Sequence, residues 1–187
     1  MLLMVYDRVS GRAETDLPNE PGLCIANGFV RGPANDQEEM SVPYVLVDTP
    51  DVFFSFVYTT RVHEKDTLLE RSGKTEKQMR ASGTQTVRKD KREIQGRPYE
   101  EWLMRGPTPD RVPGTMFALH GNETSGDPAK PFVTLGLFNG FRVPAPPRTM
   151  EESVQLKDLQ RATLTEAEAV GIWDKITATL RVRPGAF

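Results

Sequence analysis

Val52-Phe53-Phe54-Ser55-Phe56-Val57-Tyr58 is the richest apolar run in the chain, and its length decides its structure. It is far short of the ~20 apolar residues that a membrane-spanning helix requires. It reads instead as a strand buried on both faces. Just upstream, residues 42–47 form a second strand pattern, joined to the first by the turn Asp48-Thr49-Pro50-Asp51. A strand pair therefore anchors the reading, and the rest of the chain is placed around it.

Downstream the strand patterns continue. Residues 92–95 and 99–105 flank Gly96-Arg97-Pro98, a tight hairpin. Residues 116–120 and 132–138 read as two more strands, joined by the polar stretch 121–130. Residues 106–114 hold three prolines without periodicity and read as an exposed, stiff loop. Upstream, Leu17-Pro18-Asn19-Glu20-Pro21-Gly22 is turn-rich, and residues 23–30 read as one strand bent near Asn27-Gly28. Residues 1–16 are expected to be an irregular lead, the remnant of a linker to an N-terminal domain. Residues 17–187 are expected to form one domain.

Two or three helices complete the pattern. Thr67 followed by Glu70 makes a capping box, so a helix starts near Asp66, with Ser72-Gly73 as a candidate early stop. Thr149 and Glu152 suit the cap of a short helix. The clearest helix is the last. Thr165 and Glu168 cap it, Ala169, Ile172, Trp173, Ile176 and Leu180 share one face, and Pro184-Gly185 ends it. The expected fold is α+β: a mainly antiparallel sheet of six to seven strands, with the C-terminal helix packed on it through Trp173.

Composition narrows the function. The chain has 187 residues, a single cysteine and two histidines, so an internal disulfide is impossible and a Cys/His zinc module is nearly so. A net charge of −2 argues against a dedicated nucleic-acid binder. That total hides two opposed excesses. Residues 71–97 carry nine basic and three acidic side chains, whereas residues 7–51 carry nine acidic and three basic. Either these are solvated faces that neutralise each other, or they are docking surfaces that select a partner.

Catalytic motifs are missing from the sequence. There is no Gly-x-Ser-x-Gly, no His-Glu-x-x-His and no Gly-x-Gly-x-x-Gly. Gly73-Lys74-Thr75 has the ending of a phosphate-binding loop, but Leu68 stands where that loop needs its first glycine. Asn122-Glu123-Thr124 matches a glycosylation acceptor, which matters only in eukaryotic secretion. Cys24 with His63 or His120 is the one conceivable thiol–base pair, yet Cys24 lies between Leu23 and Ile25 and reads as a small buried hydrophobe. Glu100 and Glu101 adjoin, but strand neighbours point to opposite faces. No enzyme, cofactor or metal site is expected.

Three stretches carry a family resemblance. They are Asn19-Glu20-Pro21-Gly22-Leu23-Cys24-Ile25-Ala26-Asn27-Gly28-Phe29-Val30; Arg88-Lys89-Asp90-Lys91-Arg92 leading through Ile94-Gln95-Gly96 to Glu100-Glu101-Trp102; and Ile172-Trp173-Asp174-Lys175-Ile176 through Leu180-Arg181-Val182-Arg183-Pro184-Gly185-Ala186. In order and spacing they resemble the C-terminal domain of the lipase-immunity proteins of bacterial type VI secretion systems, over about residues 17–187. Asp90 stands where the pattern suggests glycine, which bears on the turn of that hairpin.

The resemblance implies a non-catalytic α+β domain that binds a phospholipase effector in the periplasm and occludes its active-site cleft. Family members usually carry an export signal or lipid anchor and an N-terminal domain, so the resemblance implies a C-terminal piece or a short relative. It assigns no contact residues. The contact expectation comes from the loops: Asp110 and Arg111, stiffened by Pro107, Pro109 and Pro113, and Asn122, Glu123 and Asp127 in the next connection. The alternatives are that these loops are ordinary connections, that the chain is a cytoplasmic adaptor for an effector before secretion, or that it is an enzyme of unrecognised type.

Overall fold

A computed structural model describes residues 7–35, 37–46, 48–61, 63–142 and 159–183. Nine strands and two helices occur among them, in the order β1 (Val9–Gly11), β2 (Gly22–Ile25), β3 (Gly28–Arg31), β4 (Glu39–Val45), β5 (Val52–Thr59), α1 (Leu68–Ala81), β6 (Gln85–Ile94), β7 (Arg97–Pro107), β8 (Pro113–Gly121), β9 (Phe132–Asn139) and α2 (Glu166–Ala178). The strands divide into a six-stranded sheet, β4-β5-β9-β8-β7-β6, and a three-stranded one, β1-β3-β2. Every pairing is antiparallel. The α+β class and the packed C-terminal helix are as expected.

The apolar run 52–58 becomes β5, a central strand bonded to β4 on one side and β9 on the other. Its alternation sends Val52, Phe54, Phe56 and Tyr58 to one face and Phe53, Ser55 and Val57 to the other. The first face is the better covered: Phe54 joins Leu103, Phe117, Leu119, Leu137 and Trp173 in the main core. On the other face Phe53 stacks on Phe138 with centroids 4.7 Å apart, and both rings are only partly buried.

The two helices lie on opposite faces of the large sheet, and β7 shows why. Its residues alternate, with Leu103 in the core under α2 and Trp102 and Met104 in a second cluster under Leu68 of α1. Trp173 is fully buried and meets Phe117 edge-on at 5.8 Å. The small sheet buries Phe29 and Val30 of β3.

Several local expectations are revised. The segment 23–30 is two strands, because Asn27 takes φ +55° and reverses the chain between Ile25 and Gly28. Within the lead expected to be irregular, Val9–Gly11 pairs with β3. Helix α1 runs through Ser72-Gly73: Ser72 turns its hydroxyl back to the Leu69 carbonyl, and Gly73 sits on the solvent face. The hairpin turn is Gln95-Gly96, with φ of +52° and +72°, and Asp90 lies mid-strand opposite Glu101, away from any turn. Strands β7 and β8 extend into the proline-rich stretch until Pro107 pairs with Pro113, leaving residues 108–112 as the tip. The helix expected at Thr149 and Glu152 falls outside the described residues, as do Pro184 and Gly185.

Candidate partner-binding surface

The basic run Arg88-Lys89-Asp90-Lys91-Arg92 lies on β6, and the two-residue strand period divides it between the helices. Arg88 and Arg92 face α2, where both reach Glu101 of β7, at 2.7 and 3.0 Å. Glu101 has no solvent exposure, and it also accepts a 2.6 Å hydrogen bond from Trp173 Nε1. Asp174 of α2 closes the group with a 2.5 Å contact to Arg88, and Arg92 donates to Thr177. That contact holds the Asp174 carboxyl below the usual carboxylate range and pushes the Arg88 guanidinium up. Lys89 and Lys91 face the other way. Lys89 sits 4.4 Å from the Trp102 ring and pairs with Glu76 of α1, while Lys91 pairs with Glu100.

The basic excess is thus largely engaged within the molecule. Of its nine side chains, Arg71, Lys74, Arg80, Arg88, Lys89, Lys91 and Arg92 form ion pairs. Only Lys77 and Arg97 form none among the described residues. None of the acidic partners comes from residues 7–51. The two opposed excesses are therefore not complements of each other, and Lys74, Arg80 and Lys91 stay largely exposed despite their pairs.

Arg183 ties the remaining stretch to the rest. It donates to the carbonyls of Pro18, Glu20 (2.6 Å) and Gly22 (3.1 Å), and its guanidinium lies 5.4 Å from the Phe29 ring centroid. All three resemblance-carrying stretches therefore meet around α2 and its C-terminal extension. Their charged residues hold the layers together.

The five loop residues have different surroundings. In the β7–β8 tip, Thr108 and Val112 are buried, and Thr108 N–H donates to the Val112 carbonyl, closing a rigid turn. Asp110 accepts from Arg142 N–H at 2.8 Å and pairs with its guanidinium at 3.4 Å. Arg111 takes φ +62° and is exposed, with no side-chain partner among the described residues. In the β8–β9 connection, Asn122 at φ +59° donates to the Pro131 carbonyl. Asp127 is exposed and accepts from Ala129 N–H.

Glu123 is buried, with 5 % of its surface exposed. It accepts from Leu68 N–H at 2.6 Å, from Arg71 at 2.5 Å, and contacts His120 Nδ1 at 2.8 Å. Burial alone pushes this carboxyl up. The bonds from His120, Leu68 N–H and Arg71, with the pull of the His120 charge, outweigh burial and hold it below the usual range. Its geometry is that of an internal anchor for the N-terminus of α1.

The two loops lie at opposite ends of the nine-residue strand β8, roughly 27 Å apart for its eight steps of about 3.4 Å each. Arg111 and Asp127 are the two outward-facing candidates, and the fold does not bring them together. Cys24, in β2, is half-buried, and His120 is bonded to Glu123. Among the described residues no His, Cys, Asp or Glu cluster suits a metal ion, and no helix is long and apolar enough to cross a membrane.

Comparison with known proteins agrees with this architecture. No curated protein matches the chain. Immunity protein TplEi of the type VI secretion system of Pseudomonas aeruginosa, in its apo form, is 27 % identical, with a TM-score of 0.67 over 96 % of this chain and 56 % of that one. The same protein complexed with "L" peptide is 26 % identical, with a TM-score of 0.66 over 96 % and 60 %. A chain of the Tle4-Tli4 complex is 26 % identical, with a TM-score of 0.69 over 96 % and 57 %. This chain thus spans a little under two thirds of the length of those solved proteins. The family model described as the Tle cognate immunity protein 4 C-terminal domain matches residues 16–185, and the chain belongs to that family.

Proposed function

We propose that this chain is a binding domain of an immunity protein, which neutralises a secreted phospholipase in the periplasm by occluding its active-site cleft. It acts without catalysis of its own. The observation that carries this reading is the likeness to a chain of the Tle4-Tli4 complex, a lipase-type effector with its cognate immunity protein, over 96 % of the chain. The preformed β7–β8 tip supports it, because a stiff loop loses little entropy on insertion. Within this reading Arg111 and Asp127 make the outer contacts, while Asp110, Asn122 and Glu123 hold the loops in shape.

The test is a purified lipase encoded beside this chain, assayed on phospholipid with and without it. Stoichiometric inhibition is expected, weakened by replacing both loops with short glycine-containing turns. Inhibition that survives loss of both loops sinks the contact assignment. No complex and no inhibition sinks the function. Cells producing an exported lipase should survive only when this chain is exported too. Protection by the cytoplasmic form alone points to an adaptor.

A further inference from the structure

Between the small sheet, the large sheet and the end of α2 lies a cavity of about 470 Å³, within the roughly 300–1,000 Å³ of small-molecule sites. Phe54 and Phe56 of β5 and Leu135 of β9 form its floor, and Leu23 of β2 with Ile176 and Leu180 face them. Two features point to a ligand. Tyr58 lines the cavity with only 6 % of its surface exposed, and its hydroxyl has no hydrogen-bond partner among the described residues. The hydroxyl opens on the cavity rather than being sealed from it, so it presents a donor to an acceptor bound there. Among the described residues the charged groups of the lining are Arg8, Arg181, Arg183 and Glu38. Glu38 is already paired with Arg8 at 2.7 Å, and Arg181 is exposed and carries no ion pair among the described residues.

We propose that this cavity binds a single-chain carboxylate amphiphile, a fatty acid anion, with the acyl chain on the phenylalanine floor and the carboxylate accepting from Tyr58. Arg181 supplies the compensating charge at the rim. Burial, then the nearby Glu38, pushes the Tyr58 hydroxyl up to about 12, so it stays a donor throughout the physiological range. An apolar chain with one anionic end satisfies the floor, the unpaired hydroxyl and the charge of Arg181 together.

Cys24 is the only cysteine of the chain and lines the same cavity, so it serves as a built-in reporter. The full chain is titrated with dodecanoate below its micelle concentration, with dodecanol and a dodecanoyl lysophosphatidylcholine as parallel arms. Saturable binding of one dodecanoate per chain is expected, with alkylation of Cys24 by iodoacetamide slowed at least about tenfold, a factor worth ~1.4 kcal/mol. Tyr58→Phe and Arg181→Glu should each weaken binding about 2- to 10-fold, the range for one lost polar contact. Arg181 is at the surface, so that variant remains informative if Tyr58→Phe lowers the melting temperature. Tighter binding of the lysophospholipid, which is zwitterionic and has no carboxylate, overturns the carboxylate assignment. Equal binding of dodecanol overturns the anion assignment, and no saturable protection of Cys24 overturns the site. Protection by the lipase but not by dodecanoate makes this a protein-docking groove and also overturns the proposal. The titration needs no lipase, so its failure is separate from failure of the immunity reading.

Discussion

At the residue scale the molecule turns on Glu101. It is a fully buried carboxylate held by two arginines and an indole N–H, so removing its charge leaves the partly buried Arg88 and Arg92 with Asp174 as their one carboxylate among the described residues. Breaking one side of such a group costs about 3–5 kcal/mol. Glu101→Ala should lower urea stability by that amount, and loss of less than about 1 kcal/mol contradicts this account. Glu123 gives a pH signature. Its folded carboxyl titrates below the ordinary value, so its stabilisation is complete above the unfolded pKa and is lost as pH falls through the folded one. Urea melts between pH 6 and pH 3 should therefore show a steeper acid loss for the native chain than for Glu123→Gln. Neither role was visible in the residues alone. The opposite-face argument separated Glu100 from Glu101, but it could not say that one side lacked water.

At the element scale, the signals that rest on local chemistry were legible. At α2 the capping box closes in both directions, between Thr165 and Glu168, whereas at α1 Glu70 reaches back to Thr67 N–H but the Thr67 hydroxyl has no partner among the described residues. Trp173 packs as its helical spacing indicated. The early stop at Ser72-Gly73 does not occur, because tertiary packing outweighs local propensity: Leu68 and Met79 hold α1 to the sheet at both ends. Gly73 remains a local weakness: it is exposed, and a Cβ there meets nothing within 4 Å. Gly73→Ala should therefore raise stability by about 0.5–1 kcal/mol, read as a higher thermal midpoint. Strand β6 begins well before the pattern at 92–95, at Gln85, for a related reason. Its first half is too polar for an apolar alternation, and the register shift between Thr86 and Arg88 breaks the period further.

At the scale of the whole molecule, the sequence resolved the class of fold and the family but not the arrangement of layers. Contacts such as Arg183 with Gly22 join residues 161 positions apart, and no local pattern encodes them. The candidate loops were legible as loops, whereas the cavity beside Tyr58 was not, because it exists only where two sheets and α2 converge. The attachment of the small sheet gives a whole-molecule prediction. Arg183→Ala removes the hydrogen bonds to the Pro18, Glu20 and Gly22 carbonyls together with the Phe29 contact. Hydrogen exchange should then quicken across β1–β3 while β7 and β8 stay protected. Uniform loss of protection in both sheets speaks against this separation.

The strand order also shapes how the chain finds its fold. Strands β6 to β9 form a meander of neighbouring hairpins, each closed by a connection much shorter than the domain. Strand β5 must instead reach past α1 and three strands before Val52 meets Asn139. Loop-closure entropy grows only slowly with length, but it must be met before that long-range pairing stabilises anything. The meander is thus the natural nucleus. The strand pair containing the apolar run 52–58 docks afterwards, leaving the most apolar segment of the chain exposed longest. The most aggregation-prone moment of folding falls in the interval before β5 finds β9.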